Sequence, residues 1–186
     1  MQQPGPLTRR IFLKSALGTL AVGPAVLLSA CSDADSLDRQ LKFSSLSAAL
    51  DEAERLASNA PLDPGPGWTL PQTLVHCAQS IEFSMSGFPQ MKSTMFQNTV
   101  GSAAFNVFAW RGRMSHDLTE QIPGAPSLAD ETDLDASLIR LRRSIEAFQA
   151  AQEPLQPHFA YGALSKSDYE LAQAMHLANH FSMMPG

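Results

Sequence analysis

Apolar residues recur at helical spacing along most of the chain after residue 43. The first run follows Ser44 or Ser45, either of which can cap a helix. Its apolar positions follow the i, i+3, i+4, i+7 rule: Leu46, Ala49, Leu50, Ala53, Leu56 and Ala57. Segment 59–67 is rich in proline and glycine and ends this helix. Pro71 suits the first turn of a second helix, which we predict to reach about Gly87.

Three further segments continue the helical pattern. We predict a third helix from about Thr99 to Met114. The fourth has apolar residues at alternating steps of four and three, with Thr132 and Asp135 at the spacing of a capping box: Leu134, Leu138, Leu141, Ile145 and Phe148. The last follows Ser165 or Ser167 and reaches about Met183. No segment alternates at period two for long, so the pattern predicts an all-α bundle of four main helices plus an accessory helix.

Composition and charge narrow the class of protein. The chain has 186 residues, 44% of them hydrophobic, and a net charge of −5, which excludes collagen-like, disulfide-scaffold and wholly disordered proteins. Three of the 13 basic residues lie in the first thirty, where no acidic residue occurs, so the rest of the chain is strongly acidic. A nucleic-acid partner is therefore not expected, because such proteins present a basic face.

The first thirty residues are typical of an export signal. Arg9, Arg10 and Lys14 precede an uncharged segment over residues 15–30. The arginine pair with the following Phe12 and Leu13 resembles a twin-arginine signal, which implies the twin-arginine export machinery as a partner. The alternative interpretation is an ordinary charge pair before an apolar segment.

Cys31 ends this leader in a setting that resembles a lipobox, Leu28-Ser29-Ala30-Cys31. The resemblance implies cleavage before Cys31, lipidation of its thiol and anchoring to a membrane of the cell envelope, facing the periplasm. Simple cleavage near Ala30 is an alternative, whereas a spanning helix is disfavoured because sixteen uncharged residues are too few. We divide the chain into a signal peptide (1–30), a tether (31–43) and a helical domain (44–186).

Histidines are the residues best suited to carry chemistry. His176 and His180 stand four apart on the last helix, so both imidazoles project from one face and can reach one ion. His76 lies on a stripe of the second helix that is either a half-solvated face or a polar groove between helices. The histidines could equally be hydrogen-bonded core residues.

Four other residues are weaker candidates. Cys77 follows His76 but points about 100° away on a helix, which favours a buried inert thiol over a fourth ligand. His158 precedes the last helix and could support the site from a second layer. His116 is most simply a surface residue. Glu82 could act as a base only if it faced the groove, which its position six residues after His76 does not favour.

Two stretches resemble the DinB-like metal-binding helical bundles, in particular an uncharacterised branch of that superfamily. They are residues 68–82, which include Leu74-Val75-His76-Cys77, and residues 158–180, from His158-Phe159-Ala160-Tyr161-Gly162 to His180. The resemblance covers most of residues 44–183 and implies a four-helix bundle with one divalent ion, commonly zinc or nickel. It implies that the ligands are His76, His176 and His180.

Three neutral ligands would leave a coordination position for water, as in catalytic zinc sites. We therefore expect an exported, lipid-anchored metalloprotein, with metal-dependent hydrolysis as the candidate activity. The rival hypothesis is a non-enzymatic envelope protein that uses the bundle groove to bind a ligand or partner. The sequence leaves the substrate, the metal and the formation of a homodimer open.

Overall fold

The computed structural model describes residues 38–60, 67–152 and 154–185. Arg9, Arg10 and Cys31, which carry the export and lipidation predictions, lie outside the described residues. Within the described ranges the secondary structure is helical, and the β-type pairing there is an isolated bridge between His158 and Gly162. The prediction of an all-α fold is confirmed.

Five helical segments make up the described chain. They are α1 (Leu46–Ser58), α2 (Leu70–Ser86), α3 (residues 94–111), α4 (Leu134–Ala150) and α5 (Lys166–Ser182). Helix α3 has three parts, which are Thr94–Phe96, a π-helical turn over Gln97–Gly101, and Ser102–Arg111. Turns with this wider hydrogen-bond spacing occur mostly as local bulges and are frequent near functional sites.

Capping residues explain where most helices begin. The side chain of Ser45 accepts a hydrogen bond from the backbone N–H of Ala48, and Ser165 does the same for Asp168. Thr69 forms a capping box with Gln72, and Pro71 occupies the first turn of α2. The start of α4 differs from the prediction, because Asp133 caps the backbone N–H of Ala136 in place of Thr132.

The third helix differs from its predicted bounds at both ends. It begins at Thr94 rather than Thr99, because the side chain of Ser93 caps the backbone N–H of Phe96. It ends at Arg111 rather than Met114, because Gly112 adopts a left-handed conformation with φ 61°.

Helices α1, α2, α4 and α5 enclose the main core. Helix α2 packs most extensively on α4, and α1 contacts all three of the others. The largest fully buried apolar and aromatic side chains of this core are Leu46, Leu56, Leu74, Ile81, Leu141, Ile145, Phe148, Tyr169, Leu177 and Phe181. Helix α3 packs on α5 through a smaller cluster around Phe105 and Met175. Among the helices described, none is both long and apolar enough to cross a bilayer.

Residues 38–43, placed in the tether by the sequence analysis, run along α1 and α5. The backbone N–H groups of Arg39 and Leu41 donate to the carbonyl and the side chain of Ser182, each at 2.9 Å. The guanidinium of Arg39 also pairs with Glu52 on α1 at 2.7 Å. The packed part of the chain therefore includes these residues.

Candidate metal centre

Helices α2 and α5 bring three histidines together across a hundred residues of chain. His76 on α2 and His176 and His180 on α5 are all buried. One ring nitrogen from each lies within 4.8 Å of the other two. The two histidines of α5 meet because residues four apart project from one face of a helix. His76 joins them because its side chain is buried where α2 packs against α5. The stripe is therefore a polar groove at His76 and the buried Gln79, whereas its end at Ser86 is exposed.

Two short distances between ring nitrogens of this triad share one atom. Nε2 of His176 lies 3.1 Å from Nε2 of His76 and 3.1 Å from Nε2 of His180. Ligands held at 2.0–2.1 Å in a tetrahedral arrangement would stand about 3.3 Å apart. The spacing of these nitrogens therefore fits a shared divalent ion.

Hydrogen bonding accounts for both contacts only if the one lone pair on Nε2 of His176 accepts from the N–H groups of both neighbours. Each imidazole nitrogen has a single in-plane site, which is either an N–H or a lone pair. Nε2 of His176 therefore cannot donate to one neighbour and accept from the other at the same time. A cation at the centre of the triad would satisfy all three lone pairs together.

The protonation states required for metal binding are favoured by burial. Burial lowers the pKa of His76 to about 3, and the neighbouring charge of His116 contributes to the same shift. Burial likewise holds the pKa values of His176 and His180 well below 6.5. At neutral pH the three rings are uncharged, and an uncharged imidazole is the form that binds metal.

One atom departs from the usual pattern of a ligating histidine, in which the second ring nitrogen donates to a carbonyl or carboxylate. Nδ1 of His76 is buried and has no hydrogen-bond partner among the described residues. The indole of Trp68 lies against this ring, with centroids 4.6 Å apart, and stacks near-parallel to His180 at 6.0 Å. Trp68 therefore covers the triad on one side.

A fourth histidine flanks the triad. The ring centroid of His116 lies 5.1 Å from those of both His176 and His180, which matches the 4.9–5.0 Å separations within the triad. Its Nδ1 donates to the carbonyl of Asp117 at 2.8 Å, so Nε2 carries a lone pair whenever the ring is uncharged. The half-buried position corrects the interpretation of His116 as a simple surface residue.

A cavity of about 300 Å³ opens beside the triad. Both His76 and His176 line it, and so does His116. Its polar lining otherwise comes from Ser80, Lys92, Glu120, Gln121, His158, Tyr161 and Gln173, and its apolar walls include Phe96, Met114, Ile122, Phe159 and Ala172. A ligand in this cavity would therefore contact the triad directly, as expected of a site that keeps an open position.

The π-helical turn of α3 supports the opposite wall of the cavity. The side-chain amide of Gln97 donates to the carbonyls of Lys92 and Phe159, at 2.9 and 3.3 Å. A Cβ atom on Gly101 would lie 1.9 Å from the carbonyl oxygen of Ala160, so only glycine permits this close approach. The turn thus holds the loop over residues 158–162 in place.

Two weaker candidates lie away from the triad and the cavity. Cys77 is fully buried in the main core, and burial raises the pKa of its thiol, as expected of an inert thiol. Glu82 accepts from Nε and Nη2 of Arg140 on α4, at 3.0 and 2.8 Å, so it is engaged in a bidentate ion pair. Neither residue lines the cavity.

From the sequence, His116 was interpreted as a surface residue, and Gln173, Lys92 and Tyr161 were not singled out. Three of these four residues lie outside α2 and α5, in segments whose approach to the site depends on tertiary packing. Gln173 precedes His176 by three residues, so its place on the same face of α5 was a usable signal.

Comparison with known proteins places the chain in a family but assigns no activity. A family model described as "Protein of unknown function (DUF1569)" matches residues 36–185. No curated protein and no solved structure matched the chain. Because the matched segment covers well over half of the sequence, the chain belongs to the DUF1569 family.

Proposed function

We propose that this protein binds one divalent ion, zinc or nickel, through the Nε2 atoms of His76, His176 and His180, and that the site acts on a small molecule, with hydrolysis as the reaction class. The observation that carries the proposal is the pair of 3.1 Å contacts at Nε2 of His176, which a shared ion explains with one lone pair from each ring, whereas hydrogen bonding requires two donors to share a single lone pair. The adjacent cavity supports access by a ligand.

The DinB-like assignment belongs to the same proposal. Its support is the placement of one histidine on α2 and an i, i+4 pair on α5, within four helices that pack on one another. This placement agrees with the ligand arrangement implied by the resemblance of the sequence.

The chain's own residues define what the site can do. When bound, the ion would supply a Lewis acid that polarises an oxygen and lowers the pKa of a water molecule. The ring of His116 packs beside the triad, while Trp68 and the apolar walls limit access of bulk water. Because no carboxylate is among the ligands, the ion would keep its full positive charge.

Metal analysis of tag-free protein tests the central claim. After supplementation with zinc or nickel, we expect about one ion per chain and a higher melting temperature, since a ligand that binds only the folded state stabilises it. The His176→Ala/His180→Ala double variant should lose the ion. Cys77→Ala is the matched control and should retain it. Less than about 0.2 ion per wild-type chain would contradict the proposal and favour the non-enzymatic alternative.

We further propose that the protein is exported by the twin-arginine route and anchored in the cell envelope through lipidated Cys31. The support is the sequence pattern of residues 1–31. Replacing Arg9 and Arg10 by lysine should retain the protein inside the cell, and Cys31→Ser should release it from the membrane fraction. Unchanged fractionation of both variants would contradict this part of the proposal.

A further inference from the structure

The tautomer of His158 is set by the loop that contains it. Its Nδ1 accepts hydrogen bonds from the backbone N–H groups of Ala160 and Tyr161, both at 3.1 Å. The turn is closed by two backbone hydrogen bonds between His158 and Gly162, at 2.8 and 3.1 Å. Because a backbone N–H only donates, Nδ1 carries no proton, and the neutral ring must carry its proton on Nε2.

This Nε2–H group has no partner in the part of the chain that the structure describes. The side chain of His158 is only 7% exposed, and the residue lines the cavity together with His176. Burial lowers the pKa of His158 to about 3, so the ring is neutral and its tautomer is fixed. Nε2 itself is not one of the buried atoms that lack a partner, so this donor faces the open cavity, where a ligand oxygen can accept its hydrogen bond.

The donor is also rigidly held. The imidazole stacks on Tyr161, with centroids 4.3 Å apart and planes within 8°, and Phe88 contacts it edge-on at 5.0 Å. The contact between Gly101 and Ala160 fixes the loop from the other side. The direction of the N–H is therefore set before any ligand arrives, which reduces the entropy lost on binding.

Charge indicates what the acceptor should be. The three triad histidines are neutral, so a divalent ion there would give this end of the cavity a charge of about +2. Lys92 adds a positive charge to the lining, and Glu120 is the carboxylate found there. The balance favours an anionic oxygen over a cationic or neutral group.

We propose that the cavity binds a small organic oxyanion, a carboxylate or a phosphoryl group, one oxygen of which accepts the hydrogen bond from Nε2–H of His158. The apolar part of the ligand packs against Phe96, Met114 and Ile122. This inference rests on the proposed function, since the ion supplies most of the positive charge. His158 is then a binding residue that orients the anion with respect to the triad.

The test uses the full chain loaded with zinc, with benzoate and phenylphosphonate as probes in calorimetric titrations. Benzamide is the neutral control. His158→Asn is the informative variant, because its side-chain oxygen can still accept from the backbone N–H two residues on, while the donor into the cavity is lost. His158→Gln is its counterpart, since the longer amide can still donate into the cavity but leaves the turn without its acceptor.

We expect the wild-type protein to bind benzoate, phenylphosphonate or both more tightly than benzamide. His158→Asn should keep its zinc and melting temperature but bind the anion at least about tenfold more weakly, the effect of losing a hydrogen bond to a charged group. His158→Gln should retain more affinity and lose more thermal stability. Equal affinity in wild type and a folded His158→Asn variant overturns the role of His158.

Further outcomes separate this inference from the proposed function. A wild-type chain that takes up no zinc overturns the proposed function and the inference with it. A zinc-loaded chain that binds neither anion overturns only the inference. If His158→Asn does not fold, the Nε2–H resonance of His158 in ¹⁵N-labelled wild-type protein decides the matter: a downfield shift with the bound anion supports the hydrogen bond, and no shift overturns it.

Discussion

On α2, Leu74, Cys77 and Ile81 pack into the main apolar core, whereas His76 and Ser80, on another face of the same helix, line the cavity. Both faces are buried to a similar degree, but their chemistry differs. The core face gains stability from each apolar side chain it removes from water. On the cavity face, burial also removes water from polar groups that then need partners.

Helix α5 repeats this division. Leu177 and Phe181 belong to the main core, while Gln173 and His176 line the cavity. Of the three buried side-chain atoms without a partner among the described residues, two belong to cavity-lining residues: Nδ1 of His76 and Oε1 of Gln173. Since such atoms reduce stability, their concentration on one side agrees with the site proposed there.

The neighbours Leu177 and His176 offer the sharpest way to test this division. Leu177→Ala should lower the free energy of unfolding by about 2–5 kcal/mol, because it leaves a void in the main core. We expect the folded fraction of this variant to keep one metal ion per chain. His176→Ala should have the opposite profile, with loss of the ion and a smaller loss of stability in metal-free protein.

Urea unfolding and metal analysis of both variants, with and without chelator, measure these two effects. Metal loss in folded Leu177→Ala would show that the two faces are not separable. In chelator, a loss of stability in His176→Ala as large as that in Leu177→Ala would show that the histidine serves the core.

Acid should lower the stability of the folded protein through the histidines on the cavity side. The pKa of His158 is about 3 in the folded protein because of burial, whereas an unfolded histidine titrates near 6.5. The unfolded chain therefore binds more protons below pH 6.5, so stability is fully present above that pH and is lost as the pH falls towards 3. At pH 5 the loss from this histidine is about 2 kcal/mol.

Other groups near this ring do not change the sign. Tyr161 and Tyr169 pack against it, with pKa values that burial raises, and Lys92, Glu120 and His176 line the same cavity. Unfolding of chelator-treated protein between pH 8 and 5 should show a steep decline in wild type and a shallower one in His158→Asn. Leu177→Ala should shift the whole curve without changing its slope. Parallel curves for wild type and His158→Asn would refute this account.

Sequence periodicity was sufficient to predict which residues form the apolar side of the fold. The apolar stripes of α1 and α4 correctly predicted the buried faces of these helices. Their residues in the main core include Leu46, Ala53, Leu141 and Phe148. Helix α3 was placed less well because its outer face is apolar but exposed, as at Met95 and Trp110, and because the π-helical turn shifts the phase of the pattern. Periodicity therefore predicts burial well only where a helix has one apolar face.

The cavity side was predictable only in part. The i, i+4 spacing of His176 and His180 identifies a pair on one face, but the orientation of His76 depends on how α2 packs. His116 lies in the loop that follows α3, and the tautomer of His158 depends on a turn only five residues long. Loop residues have no periodicity that predicts their direction, so these two histidines required the structure.

The smallest effect we expect concerns His116, which lines the cavity and flanks the triad without belonging to it. Its ring packs against those of His176 and His180, so His116→Ala should loosen these two ligands, weaken metal affinity about tenfold and leave the ion count at one per chain. His116→Gln keeps part of this packing and should lose less. Competition with a coloured chelator measures the affinities. If both variants bind as tightly as wild type, His116 belongs to the cavity wall alone, and the metal centre is confined to α2 and α5.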